Sequence, residues 1–267
     1  MLTATCMGVL GILLVPHSPF GFGLLFGCAA AFIKLGPFSA ILKLFNDKEA
    51  LRISPQSAAK NVGGAAFILF LGGALTSLGW ASASVVLALF FMASGIATYY
   101  MLPDDKIEGW KWDIFIDLSR DFWFWMVCIY FFIMCGVYYI AITGFYPALT
   151  KVAEFPSGTA LTILAVSYLI CGVLRFFVAW LGDQEIKGYK LRLPLMWIGT
   201  AGMAVCIPLS KIQPILSLVI FTFMSAIHTP NYWAYCKEMW GPKYISTVVA
   251  LGFFFMYLGA GVMYGKW

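Results

Sequence analysis

The chain has 267 residues, of which 62% are hydrophobic and only 11% charged, and its mean hydropathy is +0.88. An ordinary soluble domain has about a quarter of its residues charged, and no water-soluble fold hides this much apolar surface, so a soluble protein is excluded. The net charge of +5 comes from 17 basic residues scattered through short segments, with no run that would track phosphates, which excludes a nucleic-acid partner.

Apolar runs bounded by charges, Pro or Gly predict helices at 2–15, 20–45, 56–80, 82–102, 121–148, 157–182, 193–209, 213–237 and 244–265. The fold class is therefore all-α, a polytopic transmembrane helix bundle of about nine spans. The first run, Leu2 to Val15, has no basic residue before it and no cleavage site after it, so it reads as a short helix rather than a leader. At about 1.5 Å per residue it spans about 21 Å, less than the roughly 30 Å hydrocarbon core. The longest loop, Pro103 to Asp121, has six acids and the amphipathic stretch Trp110 to Ile116, whose aromatics suit the headgroup layer. It divides the chain into a partial N-terminal bundle (1–102), a cytoplasmic linker (103–120) and a partial C-terminal bundle (121–267).

Short turns such as Gly79-Trp80-Ala81 alternate with charged loops, so basic residues can be counted on each side. One side collects Lys43, Lys48, Arg52, Lys60, Lys106, Lys111, Arg120, Lys187, Lys190, Arg192, Lys237 and Lys243, and the other only Lys151, Lys211 and Lys266. The rich side is cytoplasmic by the positive-inside rule, which implies a multi-pass protein of the cell (plasma or inner) membrane. The seven cysteines are odd in number, lie almost wholly in apolar runs and show no CxxC spacing, and they read as small core residues.

Inside the apolar runs the titratable or charged side chains reduce to Lys34, Arg175 and His228, with no Asp or Glu beside them. A charge in hydrocarbon costs at least about 2.5 kcal/mol, so such residues face a bundle interior or an aqueous cavity. Lys34 stands too deep to snorkel; it binds a substrate or a coupling ion, or it bonds carbonyls freed by Pro37. Arg175 offers a planar fork suited to a carboxylate, phosphate or nitrate-like anion, and its stem is long enough to reach the headgroups instead. His228 stands beside Pro230, where a kink exposes backbone to a cavity, and titrates near neutral pH; as a lone His it also suits a hydrogen-bonded core position. Asn231 on the same kink, with Tyr138 and Tyr139 on the fifth run, completes the substrate-binding candidates. HExxH, GxSxG and Walker motifs are missing and two histidines make no oxidase cluster, so no enzymatic activity, metal or cofactor is expected.

After the sixth run the sequence reads Ala179-Trp-Leu-Gly-Asp183-Gln-Glu-Ile-Lys187-Gly-Tyr-Lys190-Leu-Arg192. This resembles the small-xxx-Asp-basic loop signature of the major facilitator superfamily, with Ala179 in place of Gly and Gln184 in place of the basic residue after the Asp. The resemblance implies that the nine runs match helices 3 to 11 of that twelve-helix fold, without helices 1, 2 and 12. It makes Asp183, Lys187 and Arg192 a gating loop motif, and puts Lys34 on helix 4, Tyr138 and Tyr139 on helix 7, Arg175 on helix 8 and His228 on helix 10. The function it implies is a secondary transporter of a small solute by alternating access with H+ or Na+ as coupling ion, and Lys34 and Arg175 make an organic or inorganic anion the expected solute. The alternative is a truncated, transport-inactive scaffold, and a complete chain of this length would form a homodimer to close its cavity.

Overall fold

Hydrocarbon offers no water to backbone amides, so apolar segments within it satisfy those amides internally, as helix. The computed structural model describes residues 2–14, 41–101, 112–186 and 188–264 with the single positions 17 and 25, and shows this pattern throughout. Its helices are α1 (Leu2–Leu14), α2 (Glu49–Met101), α3 (Trp112–Ser119), α4 (Phe122–Lys151), α5 (Ser157–Gly182), α6 (Arg192–Leu209) and α7 (Pro214–Tyr264). Between α5 and α6 a small hairpin pairs β1 (Glu185–Ile186) antiparallel with β2 (Tyr189–Lys190), turning at Gly188 with φ of 81°. The predicted run 20–45 lies outside the described residues except for position 25 and residues 41–45, of which 41–44 are helical, and both Lys34 and Lys187 lie outside them.

A straight helix of 53 residues, the length of α2, would reach about 80 Å, more than twice the hydrocarbon thickness. One glycine breaks it: Gly79 at φ 73°, ψ 170° divides α2 into the two spans expected at 56–80 and 82–102. The 51-residue α7 is divided in the same way by Gly241 at φ 74°, ψ 175°, just before Pro242. Side chains with a Cβ are almost excluded from that backbone region, so glycine is what allows each break. The two arms of α7 fold back on each other, with the Trp233 and Phe253 rings 4.9 Å apart.

The α7 hairpin is the centre of the bundle, and α2, α4, α5 and α6 all pack on it, while α1 packs on α2. Small residues let these helices approach closely. A Cβ at Gly259 on α7 would meet Phe132 C of α4 at 2.8 Å, and one at Gly172 on α5 would lie 3.5 Å from Ala58 O of α2. Asp121 fixes the entry of α4: Oδ1 accepts from Trp123 N at 2.9 Å and Oδ2 from Trp240 Nε1 of α7 at 2.7 Å. The short α3 buries Ile114 and Leu118 and exposes Trp112 and Ile116, so it is amphipathic.

Phe90, Val173, Phe177 and Trp197 project from the bundle, which in water would be an aggregation hazard and in lipid is ordinary solvation. Four described helices are long and apolar enough to cross a bilayer, namely Phe122–Lys151, Ser157–Gly182, Arg192–Leu209 and Pro214–Ala260, the last divided at Gly241. The chain is an integral, multi-pass, all-α membrane protein.

Candidate functional site

Three helices present the same spacing to a common cavity. On α2 the facing residues are Gln56, Ser57 and Lys60, on α4 Met134, Cys135 and Tyr138, and on α7 His228, Thr229 and Tyr232. Each set runs i, i+1, i+4, which is one helix face. Tyr139 and the second arm of α7, through Phe253, Met256 and Tyr257, complete a cavity of about 280 Å³. His228 Nδ1 lies 3.0 Å from Ser225 O, a distance at which it donates to that carbonyl. The His228 ring lies 5.8 Å from Tyr232 and 6.5 Å from Tyr138, and Lys60 Nζ stands 5.1 Å from the centre of the Tyr138 ring.

Arg175 of α5 is 1% exposed and stands behind this wall. Nη1 donates to the carbonyl and, at 2.6 Å, to the hydroxyl of Ser57, and Nη2 donates to Thr229 Oγ1 at 3.2 Å. One guanidinium thus joins α5 to α2 and α7 and holds two residues of the lining, while its Nε has no hydrogen-bond partner among the described residues. Among the described residues no Asp or Glu lines the cavity; on the surrounding helices Glu49 stands about 11 residues from Lys60 and Glu238 about ten from His228, roughly 15 Å along each helix.

Those distant acids belong to an ion-paired cluster at one end of the bundle. Arg192 at the start of α6 is fully buried; Nη2 donates to Glu49 Oε2 at 2.5 Å and Asp183 Oδ1 at 2.6 Å, and Nη1 to Glu238 Oε2 at 3.1 Å. Glu49 also has Lys190 and Lys237 at 3.7 Å. Lys237 Nζ further donates to the Phe45 carbonyl and, at 3.2 Å, to Asn46 Oδ1. Asp183 has a second task, since its carboxylate accepts from Ala50 N at 3.2 Å and Leu51 N at 2.8 Å. These are orphan amides of the first turn of α2, where a negative charge is also favoured by the helix dipole. Burial raises the Glu49 pKa, but the hydrogen bond and charge of Arg192, with the charge of Lys190, outweigh it and hold the carboxyl below its ordinary value.

The sequence candidates thus fall into separate places. His228, Tyr138 and Tyr139 line the cavity, and Arg175 supports its wall. Asn231 points away from it: Nδ2 donates to Ile227 O at 2.7 Å, and Oδ1 packs against Gly182 where α5 meets α7. Asp183 and Arg192 meet in the cluster. Lys60, grouped by its position in the sequence with the end charges, is instead a cavity residue. Glu49 and Lys237 join the cluster from segments 143 and 45 residues away from Arg192, pairings that no local spacing signals.

A bundle of broken, apolar helices around a cavity is the architecture of a polytopic membrane protein. The family model described as Major Facilitator Superfamily matches residues 1–264, and the chain belongs to that superfamily of secondary transporters for small solutes. No curated protein matches it.

Proposed function

We propose that this chain carries a small anionic solute across the cell membrane by alternating access, with the cavity as the solute's site and the ion-paired cluster as a cytoplasmic gate. The observation that carries this reading is the pairing of a cation-bearing cavity with a cluster about 15 Å away that ties the two halves together. In the cluster Glu49, Ala50 and Leu51 come from the first half (1–102) and Asp183, Arg192 and Lys237 from the second (121–267), so opening that end requires breaking these contacts together. The segment 103–120 then joins the two halves, and an H+ or Na+ gradient drives the cycle. The rocking of two halves about a midplane site is a change between two packed states, which a solute drives by binding one better than the other.

The test is uptake by purified protein in liposomes, using a panel of small radiolabelled acids and their neutral amides under imposed H+ or Na+ gradients. At least one acid is taken up in preference to its amide, and Arg192→Gln reduces that uptake while leaving equilibrium binding of the acid in place. Absence of uptake by well-folded protein across the panel would favour an inactive scaffold.

A further inference from the structure

A second and larger cavity, of about 510 Å³, lies apart from the solute site. Its lining comes from the last turns of α4 and α6 and the residues just beyond them, and among the described residues none of it comes from α2, α5 or the α7 hairpin. Because α4 and α6 both pack on α7 and also touch each other, this is a groove on the outside of the bundle, where bilayer is the neighbour. It stands at the end opposite the ion-paired cluster, since α6 starts from Arg192 in that cluster and α4 starts beside Asp121.

The groove is cationic at its mouth and apolar below. Lys151 is the last residue of α4 and Lys211 follows closely on the end of α6. Beneath them Ala148, Gly144 and Ile140 of α4 face Ile207 of α6. From Lys151 to Ile140 the wall descends about 16 Å, close to the roughly 15 Å of hydrocarbon in one leaflet. The hydroxyls of the lining turn to their own helices, Thr143 Oγ1 donating to Tyr139 O at 2.7 Å and Ser210 Oγ to Ile207 O at 2.8 Å, so they do not make the wall polar. A Cβ at Gly144 would meet no atom within 4 Å among the described residues, which leaves the wall bare midway down. Glu154, just beyond Lys151, is exposed and outside the lining.

An occupant that matches both parts is an amphiphile with an anionic head. A soluble anion would use the ammoniums and leave the apolar wall unfilled, and an uncharged lipid would fill the wall without meeting the charge. A second copy of the chain across a two-fold axis would bring the lysines of both copies together, which repels. We propose that the groove binds one acidic glycerophospholipid of the leaflet at that end, with its phosphate between Lys151 and Lys211 and one acyl chain lying along α4 past Gly144 to Ile140. An ammonium carries three donors, so a phosphate oxygen adds to the contact that Lys211 already has elsewhere and does not need to replace it. The lipid ties α4 to α6 within the second half and leaves the solute cavity untouched.

Titration of the full chain in detergent with phosphatidylglycerol and with phosphatidylcholine of identical chains, read by native mass spectrometry of the first lipid bound, tests this. Phosphatidylglycerol binds at least about fivefold tighter than phosphatidylcholine. Lys151→Gln weakens phosphatidylglycerol by about fivefold and leaves phosphatidylcholine within about twofold, Lys151→Arg retains the preference, and the double variant with Lys211→Gln weakens it by about tenfold or more. Gly144→Leu, which puts a side chain in the path of the acyl chain without striking a described atom, weakens both lipids. Equal binding of the two lipids, unchanged phosphatidylglycerol binding in the double lysine variant, or its displacement by inorganic phosphate overturns the proposal. So does a dimer that Gly144→Leu dissociates, which would give the groove to a second copy. If Gly144→Leu does not fold, the lysine variants decide alone.

Discussion

A guanidinium at 1% exposure persists in an apolar bundle because acceptors surround it, and for Arg175 these are all neutral: the Ser57 carbonyl and hydroxyl and the Thr229 hydroxyl. Arg175→Met removes the donors from groups that stay buried, at a cost of about 1–3 kcal/mol, so thermal unfolding in detergent occurs at lower temperature. An unchanged midpoint would show that Arg175 ties nothing together. Glu49 gives a pH dependence of defined sign. A carboxyl whose native pKa lies below its ordinary value of 4.5 contributes stability above that value and loses it as pH falls through the lower native one. The Glu49 contribution is therefore constant between pH 8 and about 5 and falls only below about 4.5, a transition that Glu49→Gln removes from an acid titration of thermal stability. At this scale the sequence was legible where a polar residue interrupts an apolar run, as at Arg175 and His228. It misled at Lys60, because Pro55 looks like the start of a span and makes Lys60 a flanking charge. The helix in fact runs through Pro55 from Glu49, which moves Lys60 about three turns inward.

The elements themselves are written in the pattern of apolar runs, and the described helices follow those runs closely because hydrocarbon leaves the backbone no other choice. The break at Gly79 was legible as a short turn, but that Gly241 adopts nearly the same φ and ψ was not, since Pro242 alone signals a stop without fixing geometry. Gly241→Ala meets no atom within 4 Å, so its effect isolates backbone strain, of order 1–3 kcal/mol. Gly63→Ala, also free of contacts but within regular helix, is stabilising or neutral in the same background. Equal unfolding midpoints for the two variants would mean that the break does not need its left-handed backbone. Helix caps made across the fold stayed invisible to sequence: Asp183 caps α2 from 132 residues beyond Leu51, a contact that exists only once the bundle is assembled.

For the whole molecule, the proposed gate is the charged cluster, in which one buried arginine, Arg192, joins three acids: Glu49 from the segment 1–102, and Asp183 and Glu238 from the segment 121–267. Such a network contributes little net stability against its desolvation cost, but removing one partner leaves buried charges uncompensated, which suits a contact that must form and break as a unit. The most direct test is the distance between spin labels at Arg52 and Glu185, both exposed at that end, in a background without native cysteines. With Arg192 present the distribution is dominated by a short distance, and Arg192→Gln transfers population to a longer one. A single distribution, identical in both proteins, would contradict a gate at this end and with it alternating access through this cavity.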